Sequence, residues 1–110
     1  MRRANIYKQG ILAGQLVQDD AGYGFTYDED YRRMEGAKSI SLTLPIEQVS
    51  YRSLVLFPFF DGLIPEGWLL AIAQYRWKLN PRDRMGLLLA CCQENIGDIS
   101  VEEQIELSDE

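Results

Sequence analysis

The feature that most constrains the fold of this 110-residue chain is a change of hydrophobic period near its middle. Before residue 45, turn residues divide the sequence into short segments in which apolar and polar side chains alternate, as they do along β-strands. After residue 54, the apolar side chains recur at helical spacing instead. The sequence therefore predicts an α+β domain in which a small antiparallel β-sheet, or a partly closed barrel, precedes the helices.

Four strands are predicted in the first half of the chain. They cover residues 4–7, 11–18, 23–27 and 40–44. Gly10 favours a hairpin turn between the first two strands, with the glycine in the left-handed conformation. Pro45 ends the fourth strand because proline cannot donate to a ladder of hydrogen bonds. Between the third and fourth strands, residues 28–38 are predicted to form a loop with one helical turn at residues 29–34.

Two to three helices are predicted before the last strand. They are a short or broken helix within residues 54–60, one in residues 65–79 and one in residues 82–92. Pro65 suits a first helical position, and Glu66 suits the positive end of the helix dipole. Asn80 and Pro81 are predicted to cap and begin the third helix.

A fifth strand is predicted at residues 96–101, where it rejoins the early sheet. This strand completes a single domain of residues 1–101, so that about five strands are expected in total, four N-terminal and one C-terminal. The acidic residues 102–110 are predicted to be a flexible, solvated tail.

Charge and histidine content disfavour several classes of function. Seventeen acidic and eleven basic residues give a net charge of −6, which has the wrong sign for binding a nucleic-acid backbone. The chain has no histidine, the usual general base and the commonest metal ligand. Asp61 and Glu66 are a possible catalytic pair, but roles as a cap and a dipole partner explain them more simply. The protein is therefore predicted not to be an enzyme, with no catalytic residue, bound metal or cofactor.

Two adjacent cysteines, Cys91 and Cys92, indicate the redox environment of the cellular compartment. A disulfide between neighbouring residues is strained, and two thiols are too few for a zinc site. Reduced thiols fit the cytoplasm, and the chain shows neither an apolar signal core nor an apolar run of membrane-spanning length. A cytoplasmic protein without membrane contact is expected.

The helix predicted from Trp68 carries two apolar stripes where a small domain needs one. One sector of the helical wheel holds Trp68, Ile72, Tyr75 and Leu79, and the other holds Leu69, Leu70, Ala73 and Trp77. Arg76 lies between the sectors. Core packing is the ordinary role of a tryptophan, whereas one in a first turn beside Gly67 can anchor an interface. Which stripe faces the core is left open by the sequence.

Four segments carry a resemblance to a known family. They are GFTYDEDY (24–31), ISLTLP (40–45), FPFFDGLIPEGW (57–68) and IGDISV (96–101). Together they resemble the first N-terminal subdomain of HipA-type toxin kinases, and FF-x-x-L-x-P-E-G-W is the most specific element. Asp98 departs from the family, which tends to have a small residue there. A free-standing copy of this subdomain is similar to the HipS subunit of tripartite HipBST toxin-antitoxin systems.

The resemblance implies an antitoxin that binds and inhibits a HipT-like serine/threonine kinase toxin, with a HipB-like helix-turn-helix DNA-binding protein in the ternary complex. It implies a kinase-binding turn of Ile64, Pro65, Glu66, Gly67 and Trp68, with Trp68 inserted into or next to the kinase active site. Ile72, Tyr75 and Arg76 are secondary interface candidates. The alternative is a non-inhibitory subdomain that completes or scaffolds a HipA-like kinase. A small independent enzyme is a third possible class of function, but a histidine-free sequence offers no reactive site for one.

Overall fold

A computed structural model describes residues 1–64, 82–91 and 98–104, which form five β-strands and three α-helices. The strands are β1 (Arg2–Lys8), β2 (Ile11–Asp19), β3 (Gly22–Tyr27), β4 (Ser50–Ser53) and β5 (Ile99–Gln104). The helices are α1 (Glu29–Arg33), α2 (Pro58–Asp61) and α3 (Arg84–Cys91). The strands form one antiparallel sheet in the order β4-β3-β2-β1-β5, so the sheet is open and not a barrel. This confirms the predicted α+β fold and the return of the last strand to the early sheet.

The hairpin between β1 and β2 turns at Gln9 and Gly10, as predicted. Both residues have positive φ, 52° and 80°, which is the backbone of a tight hairpin turn. The Gln9 N–H donates to the Asp98 carbonyl oxygen at 2.7 Å, just before β5 begins. The turn therefore also fixes the place where the last strand enters the sheet.

The fourth strand lies later in the chain than predicted. Residues 40–44 form a turn closed by a bridge between Ser41 and Leu44, and β4 follows at Ser50–Ser53. Ile40 and Leu44 are buried, whereas Leu42 is 97% exposed. The alternating pattern predicted a strand with all three side chains on one face, but a turn that buries its two ends accounts for the same sequence.

The hydroxyl of Tyr27 on β3 holds this turn in place. It accepts a hydrogen bond from the Ile40 N–H at 3.0 Å and donates one to the Leu44 carbonyl oxygen. The ring is buried, and this desolvation raises the pKa of the Tyr27 hydroxyl. The hydroxyl therefore stays protonated and satisfies two backbone groups that would otherwise be buried without partners.

Replacing Tyr27 with phenylalanine is expected to lower the free energy of unfolding by about 1 to 3 kcal/mol, because two buried backbone groups lose their partner. Urea unfolding followed by circular dichroism measures the change. Tyr51→Phe is the matched control: its hydroxyl donates to the Pro45 carbonyl oxygen of the same loop at 2.5 Å, but in an exposed position where water can replace it. Equal losses in the two variants would contradict the role given to Tyr27.

The core lies on one face of the sheet, and Phe25 of β3 is at its centre. The Phe25 ring packs edge-on against Tyr27, with ring centroids 4.9 Å apart, and tilted against Phe60 of α2 at 5.6 Å. Gly14 of β2 makes room for this ring, since a Cβ there would lie 2.6 Å from Phe25 Cζ. The helices add further buried side chains to this layer, namely Phe60, Met85, Leu87 and Leu88.

Several element boundaries differ from the predicted ones, and the short helix predicted within residues 54–60 is α2, which begins at Pro58 and ends at Asp61. The helix α3 begins at Arg84 behind an Asp83 cap, and the predicted start at Asn80 and Pro81 lies outside the described residues. Strand β5 continues to Gln104, three residues past the predicted end, because residues 102–104 pair with β1. The acidic residues that suggested a tail are thus held there by main-chain pairing, and residues 105–110 lie outside the described part of the chain.

Two smaller features complete the fold. The predicted helical turn at residues 29–34 is confirmed as α1, which Asp28 caps by accepting the Tyr31 N–H at 3.1 Å. None of the helices formed by the described residues has the length and apolar character needed to cross a lipid bilayer.

Candidate partner-binding site

The described part of the candidate site is the segment 57–64, which leads into the predicted binding turn. Pro58 occupies the first position of α2, as the fixed φ of proline favours. Hydrogen bonds continue past the helix: the Leu63 N–H donates to the Phe60 carbonyl oxygen at 3.0 Å, and the Ile64 N–H donates to the Asp61 carbonyl oxygen at 3.2 Å. The backbone is therefore held by hydrogen bonds up to Ile64.

Aromatic packing anchors the same segment to the sheet. Phe60 is fully buried, and its ring centroid lies 5.1 Å from that of Phe59 and 6.1 Å from that of Phe57. Together with Phe25 these rings form a cluster that reaches from β3 to α2. Such a cluster stabilises the segment through buried apolar surface and through favourable ring-ring contacts.

Of the predicted binding residues, Ile64 is the one that the structure describes. It is only 8% exposed and belongs to the apolar core, so it anchors the end of the described segment. The remaining predicted residues lie outside the described part of the chain, and their roles stay predictions: Pro65, Glu66, Gly67, Trp68, Ile72, Tyr75 and Arg76.

Asp61, at the end of α2, is paired with Arg84 at the start of α3. The Arg84 Nε donates to Asp61 Oδ1 at 2.6 Å, and this hydrogen bond raises the pKa of the Arg84 guanidinium. The sequence suggested a cap or a catalytic carboxylate for Asp61, but 23 residues separate it from its partner, so no local pattern could reveal the pair. Its carboxylate is occupied by an arginine, while Glu66, the other member of the possible catalytic pair, lies outside the described residues.

A second ion pair joins Asp83 to Arg2 of β1. Arg2 donates from Nη1 and Nη2 to the two carboxylate oxygens of Asp83 at 3.1 and 2.5 Å. Asp83 Oδ1 also accepts the Gly86 N–H at 3.0 Å and so caps α3. An aspartate before the apolar run of α3 is a signal from which the cap could have been predicted, but the contact with Arg2, 81 residues away, leaves no such signal.

The Asp83–Arg2 pair makes stability depend on pH. The hydrogen bonds from Arg2 lower the pKa of the Asp83 carboxyl from its ordinary value of 3.8. A carboxyl with a lowered pKa in the folded state stabilises the fold above its unfolded pKa, and this contribution is lost as pH falls through the folded value.

We therefore expect Asp83→Asn to lower the free energy of unfolding by about 1 kcal/mol at pH 7, the scale of a partly exposed pair, because asparagine keeps the cap but not the charge. The difference from the wild type should shrink as pH falls below 3.8, where the wild-type carboxyl begins to take up its proton. Urea unfolding at pH 7 and at lower pH measures both values. A difference that stays the same at all pH values would contradict the ion pair.

Asp98, where the sequence departs from the family pattern, has a definite partner. Lys8 Nζ of β1 lies 2.5 Å from Asp98 Oδ2, and this hydrogen bond lowers the pKa of the Asp98 carboxyl. The charged side chain is thus accommodated at the start of β5 by an ion pair with the neighbouring strand.

Comparisons with known proteins agree over nearly the whole chain. A sequence profile of the family described as HipA N-terminal domain matches residues 4–102. A solved structure titled N-terminal domain of HipA toxin superposes with a TM-score of 0.74 at 30% identity, covering 96% of this chain and 95% of that one. Fold and sequence therefore point to the same family.

Two relatives carry the matching sequence in different contexts. An uncharacterized protein of Haemophilus influenzae is 31% identical over 104 residues, which are 94% of this chain and 94% of that protein. The putative kinase Y4mE of Sinorhizobium fredii is 29% identical over 89 residues, which are 80% of this chain but 21% of that protein. The same domain is thus nearly all of one relative and about a fifth of the other.

Proposed function

The chain belongs to the HipA N-terminal domain family, and on this basis we propose that it is the antitoxin of a tripartite toxin-antitoxin system. It binds a HipT-like serine/threonine kinase in the cytoplasm and inhibits it without catalysing a reaction itself. A HipB-like DNA-binding protein joins the ternary complex, and this chain makes no direct contact with nucleic acid. The observation that supports the proposal most is the occurrence of the domain both as nearly a whole protein and as a fifth of a putative kinase.

Trp68 is proposed to be the residue that inhibits the kinase. An indole inserted into or next to the kinase active site would block the closed arrangement of catalytic loops that phosphoryl transfer needs. The packing of the segment 57–64 supports this role, because Phe57, Phe60 and Ile64 are buried and restrict the backbone that precedes the predicted turn. A segment that is already ordered lowers the entropic cost of binding.

The rest of the proposed interface follows from position and charge. Pro65, Glu66 and Gly67 shape the turn, and the helix beyond it offers secondary contacts at Ile72, Tyr75 and Arg76, as predicted from the sequence. The net charge of −6 complements a kinase groove that must attract the phosphates of ATP. Complementary charge mainly speeds association, so the apolar anchor carries most of the affinity.

A second candidate is a structural subdomain that completes a HipA-like kinase without inhibiting it. The match to a fifth of the putative kinase Y4mE favours this alternative, because there the domain is part of the longer chain. The two functions differ in what the bound protein does to phosphorylation.

Co-expression with the HipT-like kinase of the same system, followed by purification through a tag on the kinase, tests the binding. The purified kinase is then titrated with this protein while its phosphorylation activity is measured. The antitoxin proposal expects a stable complex and falling activity, whereas a structural subdomain would leave activity unchanged or raise it. Failure to co-purify would overturn both.

A further inference from the structure

Two ion pairs meet at the beginning of α3. Asp83 and Arg84 are consecutive, and their side chains bind different parts of the molecule, Arg2 of β1 and Asp61 of α2. Asp61 and Arg84 flank residues 65–81 in sequence and are joined by a hydrogen bond of 2.6 Å. The two ends of that segment are therefore linked to each other, and through Arg2 to the sheet.

The orientation of Arg2 is fixed from several sides. Besides its two bonds to Asp83, its Nε donates to Gln18 Oε1 at 3.0 Å, and Gln18 Nε2 donates to the Tyr23 hydroxyl at 3.1 Å. Paired hydrogen bonds from a planar guanidinium to a carboxylate define direction as well as distance. The start of α3 thus has one geometry relative to β1 and β2.

Gly86 provides the space for this arrangement. A Cβ on Gly86 would lie 2.4 Å from Asp83 Oδ2 and 3.2 Å from Arg2 Nη1. Glycine inside a helix costs about 1 kcal/mol relative to alanine, so its presence in α3 calls for a reason. Room for the carboxylate and the guanidinium is that reason.

Apolar packing alone does not define this geometry. Met85, Leu87 and Leu88 bury α3 against the core, but hydrophobic contact is non-directional. Arg84 and Asp61 are 38% and 41% exposed, so their pair adds little to global stability. Its main consequence is the relative position of α2 and α3.

We propose that the pairs Arg2–Asp83 and Asp61–Arg84 form a clasp that positions the kinase-binding turn after Ile64. The clasp is a property of the free protein, and its effect on binding rests on the function proposed above. Its residues act through the turn and are positioning residues.

Arg84→Gln tests the clasp in the free protein, with Arg52→Gln as its matched control. Both variants remove a guanidinium that binds an aspartate, since Arg52 donates to Asp19 at 3.1 Å elsewhere on the sheet. Hydrogen exchange followed by mass spectrometry reports on peptides from residues 65–81, with peptides from β1 and β2 as the internal reference. Arg84→Gln should speed hydrogen exchange in residues 65–81 about two- to fivefold relative to the reference peptides. This change corresponds to the free energy that a partly exposed ion pair contributes. Arg52→Gln should leave it unchanged.

Two further variants test whether the change in hydrogen exchange comes from the ion pairs themselves or from a general loss of stability. The reversed pair Asp61→Arg with Arg84→Asp should restore slow exchange, because the two charges can meet again in the opposite order. Gly86→Ala should speed exchange although alanine favours the helix, because its methyl group displaces the Asp83 carboxylate from Arg2.

Affinity for the kinase is measured on the same variants. Arg84→Gln should bind about two- to fivefold more weakly than the wild type, with recovery in the reversed pair. Unchanged exchange in Arg84→Gln would overturn the clasp, and unchanged affinity for a kinase that binds the wild type would overturn its role in binding. If the wild type binds no kinase, the proposed function fails, and the exchange measurement still decides whether the clasp exists.

Discussion

Replacing Trp68 with alanine is expected to weaken inhibition of the partner kinase by about 30-fold or more. A buried aromatic anchor at an interface contributes about 2 kcal/mol or more, and each 1.4 kcal/mol corresponds to a tenfold change in affinity. The residue lies four positions after Ile64, the last residue of the anchored segment. Titration of the kinase with wild-type and variant protein measures the change as a shift in the concentration for half-maximal inhibition.

Trp77→Ala is the control for this experiment, because it removes the other tryptophan of the chain. It lies nine residues further on and belongs to the second apolar stripe of the predicted helix, so its loss should affect inhibition less. Circular dichroism and thermal unfolding establish that both variants are folded before they are compared. Undiminished inhibition by a folded Trp68→Ala variant would rule out the proposed insertion.

Replacing Phe60 with alanine is expected to have the largest effect on stability, a loss of about 3 to 5 kcal/mol in the free energy of unfolding. Phe60 is fully buried and its ring packs against Phe25, Phe57 and Phe59, so the substitution removes burial and leaves a cavity within the aromatic cluster. Small domains have only about 5 to 15 kcal/mol in total, so a large part of the stability would be lost. Chemical denaturation followed by circular dichroism measures the effect.

Leu54→Ala is the matched surface control for Phe60→Ala. Leu54 lies six residues earlier and is 86% exposed, so its truncation should change stability by no more than about 0.5 kcal/mol. Phe60→Leu should retain part of the stability that alanine loses, because it fills most of the volume. A loss below about 1 kcal/mol for Phe60→Ala would show that the aromatic cluster contributes little to the stability of the domain.

The parts of the fold that depend on neighbouring residues were predictable from the sequence. The hairpin at Gln9 and Gly10 and the helical turn of α1 appear where the sequence predicted them, whereas the short helix predicted within residues 54–60 begins only at Pro58. Each depends on the φ and ψ preferences or side-chain hydrogen bonds of a few adjacent residues. Such preferences act before the rest of the chain is in place.

The fourth strand shows where the same reasoning fails. Alternation at residues 40–44 fits a strand and a turn equally well, and the hydroxyl of Tyr27, thirteen residues earlier, decides between them. For the candidate site, the sequence placed Ile64 in the kinase-binding turn, and the structure shows that Ile64 and Phe60 are buried in the core at the segment 57–64. The charges around that segment were not assigned to partners.

The sequence by itself determined the fold class, the hairpin, the family and the segment proposed to bind a partner, because periodicity and motif spacing are local properties of the chain. Only the tertiary structure decided that β5 lies beside β1, that Asp61 pairs with Arg84, and that Arg2 reaches Asp83 across 81 positions of sequence. The physical reason is that the sequence around a charged residue does not indicate which distant residue it will pair with. Its partner is set by which groups the packed sheet and helices bring within hydrogen-bond distance.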